Sequence, residues 1–116
     1  MGRAAADALF SKKGQNIVLL DVARLFVLSD VFVIATGTSR THVQSLAEYV
    51  EERFKEDLDL RPIRSEGLSE GEWALLDYGD IIVHVFQEPA REFYGLERLW
   101  ADAARVTWSE PAVTDS

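Results

Sequence analysis

The chain contains no cysteine, so it has neither a disulfide framework nor thiol chemistry. Histidine is almost as scarce, with His42 and His84 the only two among 116 residues. Zinc sites draw three or four ligands chiefly from Cys and His, so no metal or other cofactor is expected. Long hydrophobic runs are also missing. The longest, Val31 to Ala35, is of strand length and far below the ~20 residues that span a bilayer, so no membrane partner is expected. Basic residues are in deficit, 12 against 20 acidic, for a net charge of −8. A free-standing nucleic-acid binder presents a basic face, because neutralising phosphates supplies most of its affinity; direct DNA binding is therefore not expected. At the N-terminus, MGRAAADALFSKKG has Asp7 where a signal peptide needs apolar residues, and Ala6 where myristoylation needs Ser or Thr. The expected location is cytoplasmic.

What is present suits one domain, expected over residues 1–108, with the aperiodic 109–116 (SEPAVTDS) expected as a disordered tail. Acidity is concentrated: residues 48–59 hold six acids and two bases, and residues 66–80 hold five acids and no base. Such a surface suits a basic protein partner, although acidity that serves only solubility accounts for the composition equally well.

Along the chain, Ala5, Ala6, Leu9 and Phe10 have helical spacing, and Lys12, Lys13 and Gly14 read as the helix stop. Ile17 to Val22 and VFVIATG (31–37) are β-branched apolar runs that predict strands buried on both faces. The spacing of Val43, Leu46, Ala47, Val50, Phe54 and Leu58 predicts one long amphipathic helix, capped by Thr38 or Ser39. Arg61-Pro62-Ile63 is expected as an edge strand, because proline cannot donate to a central ladder, and Ser65 to Gly71 as a loop. The order predicts an α/β fold, a mixed sheet of about five strands covered by helices.

Aromatic residues gather between Trp73 and Trp100. Gly79-Asp80 predicts a two-residue hairpin turn that sets Tyr78 opposite Ile81, Asp77 opposite Ile82 and Leu75 opposite His84. Ala74, Leu76, Tyr78, Ile81, Val83 and Val85 then face the core. Trp73, Leu75, Asp77, Ile82, His84 and Phe86 share the other face, expected to be free for recognition. On it Asp77 and His84 lie a diagonal apart. As part of a nucleophilic triad they would need Ser29 or Ser39, neither of which sits in a nucleophile elbow. As metal ligands they are too few, which favours a hydrogen-bonded pair at an interface. Gly37-Thr38-Ser39 at a helix start could hold a phosphate on free amides, but it is not a P-loop, and a helix cap explains it fully. After Pro89, a helix is expected to split or bend at Gly95, with Tyr94 and Leu99 off its packed stripe. Phe93, Leu96 and Trp100 would pack on the sheet, and Arg91, Glu92, Glu97 and Arg98 would form a solvated, salt-bridged surface. For each aromatic here, core and interface remain open readings.

The succession IVLLDV, SDVFVIATGTSRTHVQSLAEYV and EGEWALLDYGDIIVHVFQEPAREFYGLERLW, running from about residue 4 to 104, resembles the ribosomal silencing factor family, also called RsfS or Iojap. The resemblance implies a nucleotidyltransferase-like outline without enzymatic activity. It also implies binding to the large ribosomal subunit through ribosomal protein L-fourteen, which blocks small-subunit joining and represses translation. Residues carried over as partner-binding are Trp73, Leu75, Asp77, His84, Arg91, Tyr94, Glu97 and Trp100. An exposed aromatic surface could also form a homodimer when the protein is free. Two alternatives stand beside this reading, a nucleotide-binding enzyme and a large-subunit assembly adaptor. Against the first, a nucleotidyltransferase needs a D-x-D carboxylate pair on a strand, and the only D-x-D is Asp57-Leu58-Asp59, at the end of the long helix.

Overall fold

A computed structural model describes residues 2–26 and 29–108. The expected tail, 109–116, lies outside the described residues. The elements are α1 (Gly2–Ser11), β1 (Gln15–Asp21), β2 (Val31–Gly37), α2 (Arg40–Leu58), β3 (Arg64–Glu66), β4 (Trp73–Asp77), β5 (Ile81–Gln87), α3 (Glu88–Tyr94), α4 (Leu96–Leu99) and β6 (Ala104–Arg105). They form a mixed six-stranded sheet in the order β3-β4-β5-β2-β1-β6. Only β2 and β5 pair in parallel, from Val31 opposite Ile81 to Gly37 opposite Gln87; the other neighbours are antiparallel. No helix among the described residues is long and apolar enough to cross a membrane.

The central strands are apolar on both faces because both faces are covered. On one, Leu19, Val33, Ala35, Ala74, Leu76, Val83 and Val85 pack against Ala5, Ala6 and Leu9 of α1 and Val43, Leu46, Ala47, Val50 and Phe54 of α2. On the other, Leu20, Phe32, Ile34, Ile82 and Phe86 are roofed by Ala90 of α3, Leu96 of α4 and the rings of Phe26 and Trp100. The stripe read from the α2 spacing is buried through Phe54, while Leu58 at its end is 42% exposed. Ser39 caps α2, its Oγ accepting from the His42 amide at 3.1 Å.

Local expectations shifted at two places. At the end of α1 it is Lys13 that adopts the left-handed conformation, with φ of 66°. Gly14 is needed for space instead: its amide donates to the Leu9 carbonyl at 2.8 Å, and an added Cβ would lie 2.8 Å from that oxygen. The edge strand falls on Arg64–Glu66 rather than Arg61–Ile63. Pro62 has no N–H to give, and pairing starts where Ile63 donates to the Asp77 carbonyl at 2.6 Å. The sixth strand, β6, is two residues long and had no legible signal.

Candidate functional site

The hairpin forms in the expected register, with Leu75 opposite His84, Asp77 opposite Ile82 and Trp73 opposite Phe86. Gly79, at φ of 88°, makes the turn, and the Tyr78 amide donates to the Ile81 carbonyl at 2.9 Å. The core-facing set is as read from sequence, but the opposite face is not free. Trp73 stacks on Phe86 at 4.8 Å and leans on Tyr94 at 4.8 Å, while Phe32 meets His84 at 4.9 Å and Trp100 at 5.5 Å. This face is a second core, and His84 within it is 3% exposed.

Asp77 and His84 do not pair, because nearer partners claim both. The Asp77 carboxylate accepts from the Gly79 amide at 2.8 Å, as turn aspartates do, and from Arg64 Nε at 3.3 Å. The Trp73 indole N–H donates to His84 Nδ1 at 3.1 Å. The ring proton of neutral His84 therefore sits on Nε2, which is buried without a partner. Burial pushes the imidazole pKa down to about 3, so the ring is neutral at ordinary pH.

After the hairpin, Pro89 starts α3 and Gly95, at φ of 58°, ends it. This break overturns the expected stripe. A left-handed residue interrupts the helical phase, so spacing counted across it does not define one face. Leu96 is buried and Trp100 packs inside, but Phe93 is 79% exposed, beside Tyr94 at 45% and Leu99 at 75%. The expected solvated ion pairs are also corrected. Arg91 has a side chain only 10% exposed; it donates from Nη1 to the Thr36 hydroxyl at 2.7 Å and from Nε to Glu97 at 2.8 Å. Thr36 lies on β2 and is itself buried, so Arg91 fastens α3 and α4 to the sheet. Glu97 also meets Arg105 at 3.6 Å, and Arg98 donates to the Glu92 carbonyl at 3.0 Å across the break.

Of the sequence-derived candidates, Trp73, His84 and Tyr94 form one aromatic cluster, which reaches Trp100 through Phe32. Leu75 is half-buried against the same core, and Arg91 pairs with Glu97. Asp77 stands apart, at the turn. Sequence reasoning missed Thr36 as the partner of Arg91 and Phe93 as an exposed apolar side chain, while Leu99 lies off the packed stripe as expected; Gly95 was the available signal.

The phosphate reading of Gly37-Thr38-Ser39 loses the Thr38 amide and the Ser39 hydroxyl to contacts within the protein. The Thr38 amide donates to His42 Nδ1 at 2.8 Å, and His42 Nε2 donates to the Lys12 carbonyl at 2.8 Å. Neither serine of the triad reading is near His84 as a hydrogen-bond partner: Ser29 donates to the Asp80 carbonyl at 3.0 Å, and Ser39 caps α2. Asp57 of the D-x-D accepts from Arg53 at 2.6 Å on exposed helix surface. Among the described residues no three His, Cys, Asp or Glu are grouped to hold a metal ion.

Residues 1–116 match the family model described as ribosomal silencing factor during starvation. A ribosomal silencing factor of Bacillus subtilis (strain 168) is 36% identical over 101 residues, covering 87% of this chain and 85% of that protein. One of Chromobacterium violaceum is 39% identical over 101 residues, covering 86% and 81%. A crystal structure of a Chromobacterium violaceum protein superposes with a TM-score of 0.81 at 36% identity, over 95% of this chain and 88% of the other.

Proposed function

This chain belongs to the ribosomal silencing factor family, and we propose that it docks on the large ribosomal subunit through ribosomal protein L-fourteen and blocks joining of the small subunit by bulk. One observation carries the docking surface: Trp73 of the hairpin and Tyr94 of α3 meet at 4.8 Å. The two segments that bear the family motifs are thus continuous, with α3 and α4 held to the sheet by Arg91. Held in this way, the surface pays little ordering entropy on binding. A net charge of −8 suits a basic ribosomal protein and disfavours direct contact with rRNA phosphates. The action is stoichiometric occupancy in the cytoplasm, with no turnover and no cofactor. A free molecule can cover the same surface with a second copy of itself.

The experiment is a sucrose gradient of purified large and small subunits with increasing protein. The joined fraction should fall, and the protein should migrate with the large subunit. An unchanged joined fraction at saturation would sink the proposal. Recovering L-fourteen as the cross-linked neighbour would support the named partner, and recovering only other ribosomal proteins would overturn it.

A further inference from the structure

We infer that the apolar anchors of the docking surface are Phe93 and Leu99, side chains on the two sides of the Gly95 break, and that they enter an apolar depression rimmed by basic residues on a partner protein. This rests on the docking proposal above and names which side chains carry it. Trp73, His84, Arg91 and Trp100 hold that surface in place.

The first ground is exposure. Scattered exposed apolar side chains are ordinary, but three within seven residues of chain, at 79%, 45% and 75%, are a local concentration. Trp73 and Trp100 are partly buried and belong to the second core, so they have less surface left to lose. The second ground is rigidity. Phe93 stands edge-on to Tyr94 at 5.2 Å, and Tyr94 rests on Trp73. The backbone between Phe93 and Leu99 is fixed by Gly95, whose amide donates to the Arg91 carbonyl at 3.0 Å and whose carbonyl accepts from the Leu99 amide at 3.0 Å. Arg91 anchors this break to β2, and Arg98 closes over it onto the Glu92 carbonyl. Apolar side chains held out on a fixed frame lose little entropy on contact, which is how binding hot spots work. The third ground is charge. Glu88 and Glu92, both exposed, lie beside these side chains on α3 against one exposed cation, Arg98, so an incoming surface meets more negative than positive charge. That complements a basic protein and repels nucleic acid.

The test uses the full chain and isolated large subunits, with co-sedimentation read at low and moderate salt. Phe93→Ala and Leu99→Ala should each bind at least tenfold more weakly. Leu58→Ala, a comparable exposed truncation on α2, should bind within twofold of the parent. Glu88→Lys with Glu92→Lys should weaken binding at low salt and flatten its salt dependence. Unfolding midpoints of the anchor variants should stay close to the parent, since both side chains are exposed. If the parent binds and both anchor variants bind equally well, the anchors lie elsewhere while the docking proposal stands. If the parent does not bind, both fall. Sedimentation equilibrium of the free protein covers the remaining occupant: self-association lost in Phe93→Ala, with subunit binding intact, would make this a surface between copies and overturn the inference.

Discussion

The Trp73 indole N–H and the His84 ring share a hydrogen bond of 3.1 Å across paired strands, and through it a buried histidine orients the base of the aromatic surface. Because His84 accepts at Nδ1 and is surrounded by Phe32, Trp73 and Phe86, charging it would both break the bond and bury a cation. Its folded pKa of about 3 lies below the ordinary 6.5.

The sign of the pH dependence follows from that depression. Below 6.5 the unfolded chain takes up a proton that the folded chain refuses, so stability is full above that pH. It is lost as pH falls toward about 3, where the folded form finally protonates. The slope contributed by this one group is at most about 1.4 kcal/mol per pH unit. Urea unfolding at pH 7, 5.5 and 4.5 should show the loss, and His84→Phe should show a shallower one across the same window. Carboxylates act in both proteins, so the difference between the slopes isolates His84. Parallel slopes would remove it as the cause.

Arg91→Ala should destabilise by about 2 kcal/mol. It strands the buried Thr36 hydroxyl and takes from Glu97 its nearer cation, although Glu97 is 28% exposed and keeps Arg105 in range. Arg91→Lys should recover only part of this, because one ammonium cannot reproduce the fork that reaches both Thr36 and Glu97. Chemical denaturation measures both variants. Full recovery by lysine would mean that charge, not the two-point geometry, fixes α3.

Tyr78→Phe should leave stability unchanged or raise it by up to about 1 kcal/mol. The hydroxyl is buried without a hydrogen-bond partner, and the ring, packed on Phe54 at 4.7 Å, supplies the useful contact. Burial and, next, the Glu51 carboxylate push the phenol pKa up to about 12, so it stays protonated. A loss above about 1 kcal/mol in thermal unfolding would show that the hydroxyl has a partner after all.

Which parts of this architecture were legible depended on how local their causes are. Gly79-Asp80 dictates its own turn, and the turn dictates the hairpin register, so six core-facing residues could be assigned from sequence. The α2 stripe and the Ser39 cap are likewise written within a few residues of where they act. By contrast, Arg91 reads as a surface residue in its own helix because its partner Thr36 is 55 positions away. Leu96 and Trp100 were expected to pack on the sheet and do. The second face still read as free, because which face they and Phe26 cover is set by chain reversals that no local pattern encodes. Phe93 was misplaced for a nearer reason. Gly95 was legible as a break, but how far the break rotates the next turn depends on φ, which the sequence does not state.

That φ makes Gly95 the position where stability and docking can be tested together. At +58° an alanine is strained by roughly 1 kcal/mol, and its Cβ would also lie 2.6 Å from the Arg98 guanidinium carbon, forcing Arg98 off the Glu92 carbonyl. Gly95→Ala should therefore lose about 1–2 kcal/mol in urea unfolding. The chain can relieve the strain by continuing α3 into α4 as ordinary helix, which turns Phe93 and Leu99 relative to each other and pulls Glu97 away from Arg91. Affinity for large subunits should then fall by more than the small loss of folded protein explains, since a variant destabilised by that amount stays almost wholly folded. Gly95→Asn separates the two effects, because asparagine tolerates the left-handed conformation. It should restore most of the affinity while keeping a side chain at the position. Equal loss in Asn and Ala variants would point to the Arg98 contact rather than the backbone turn. Unchanged affinity in Gly95→Ala would mean that the break does not set the docking geometry.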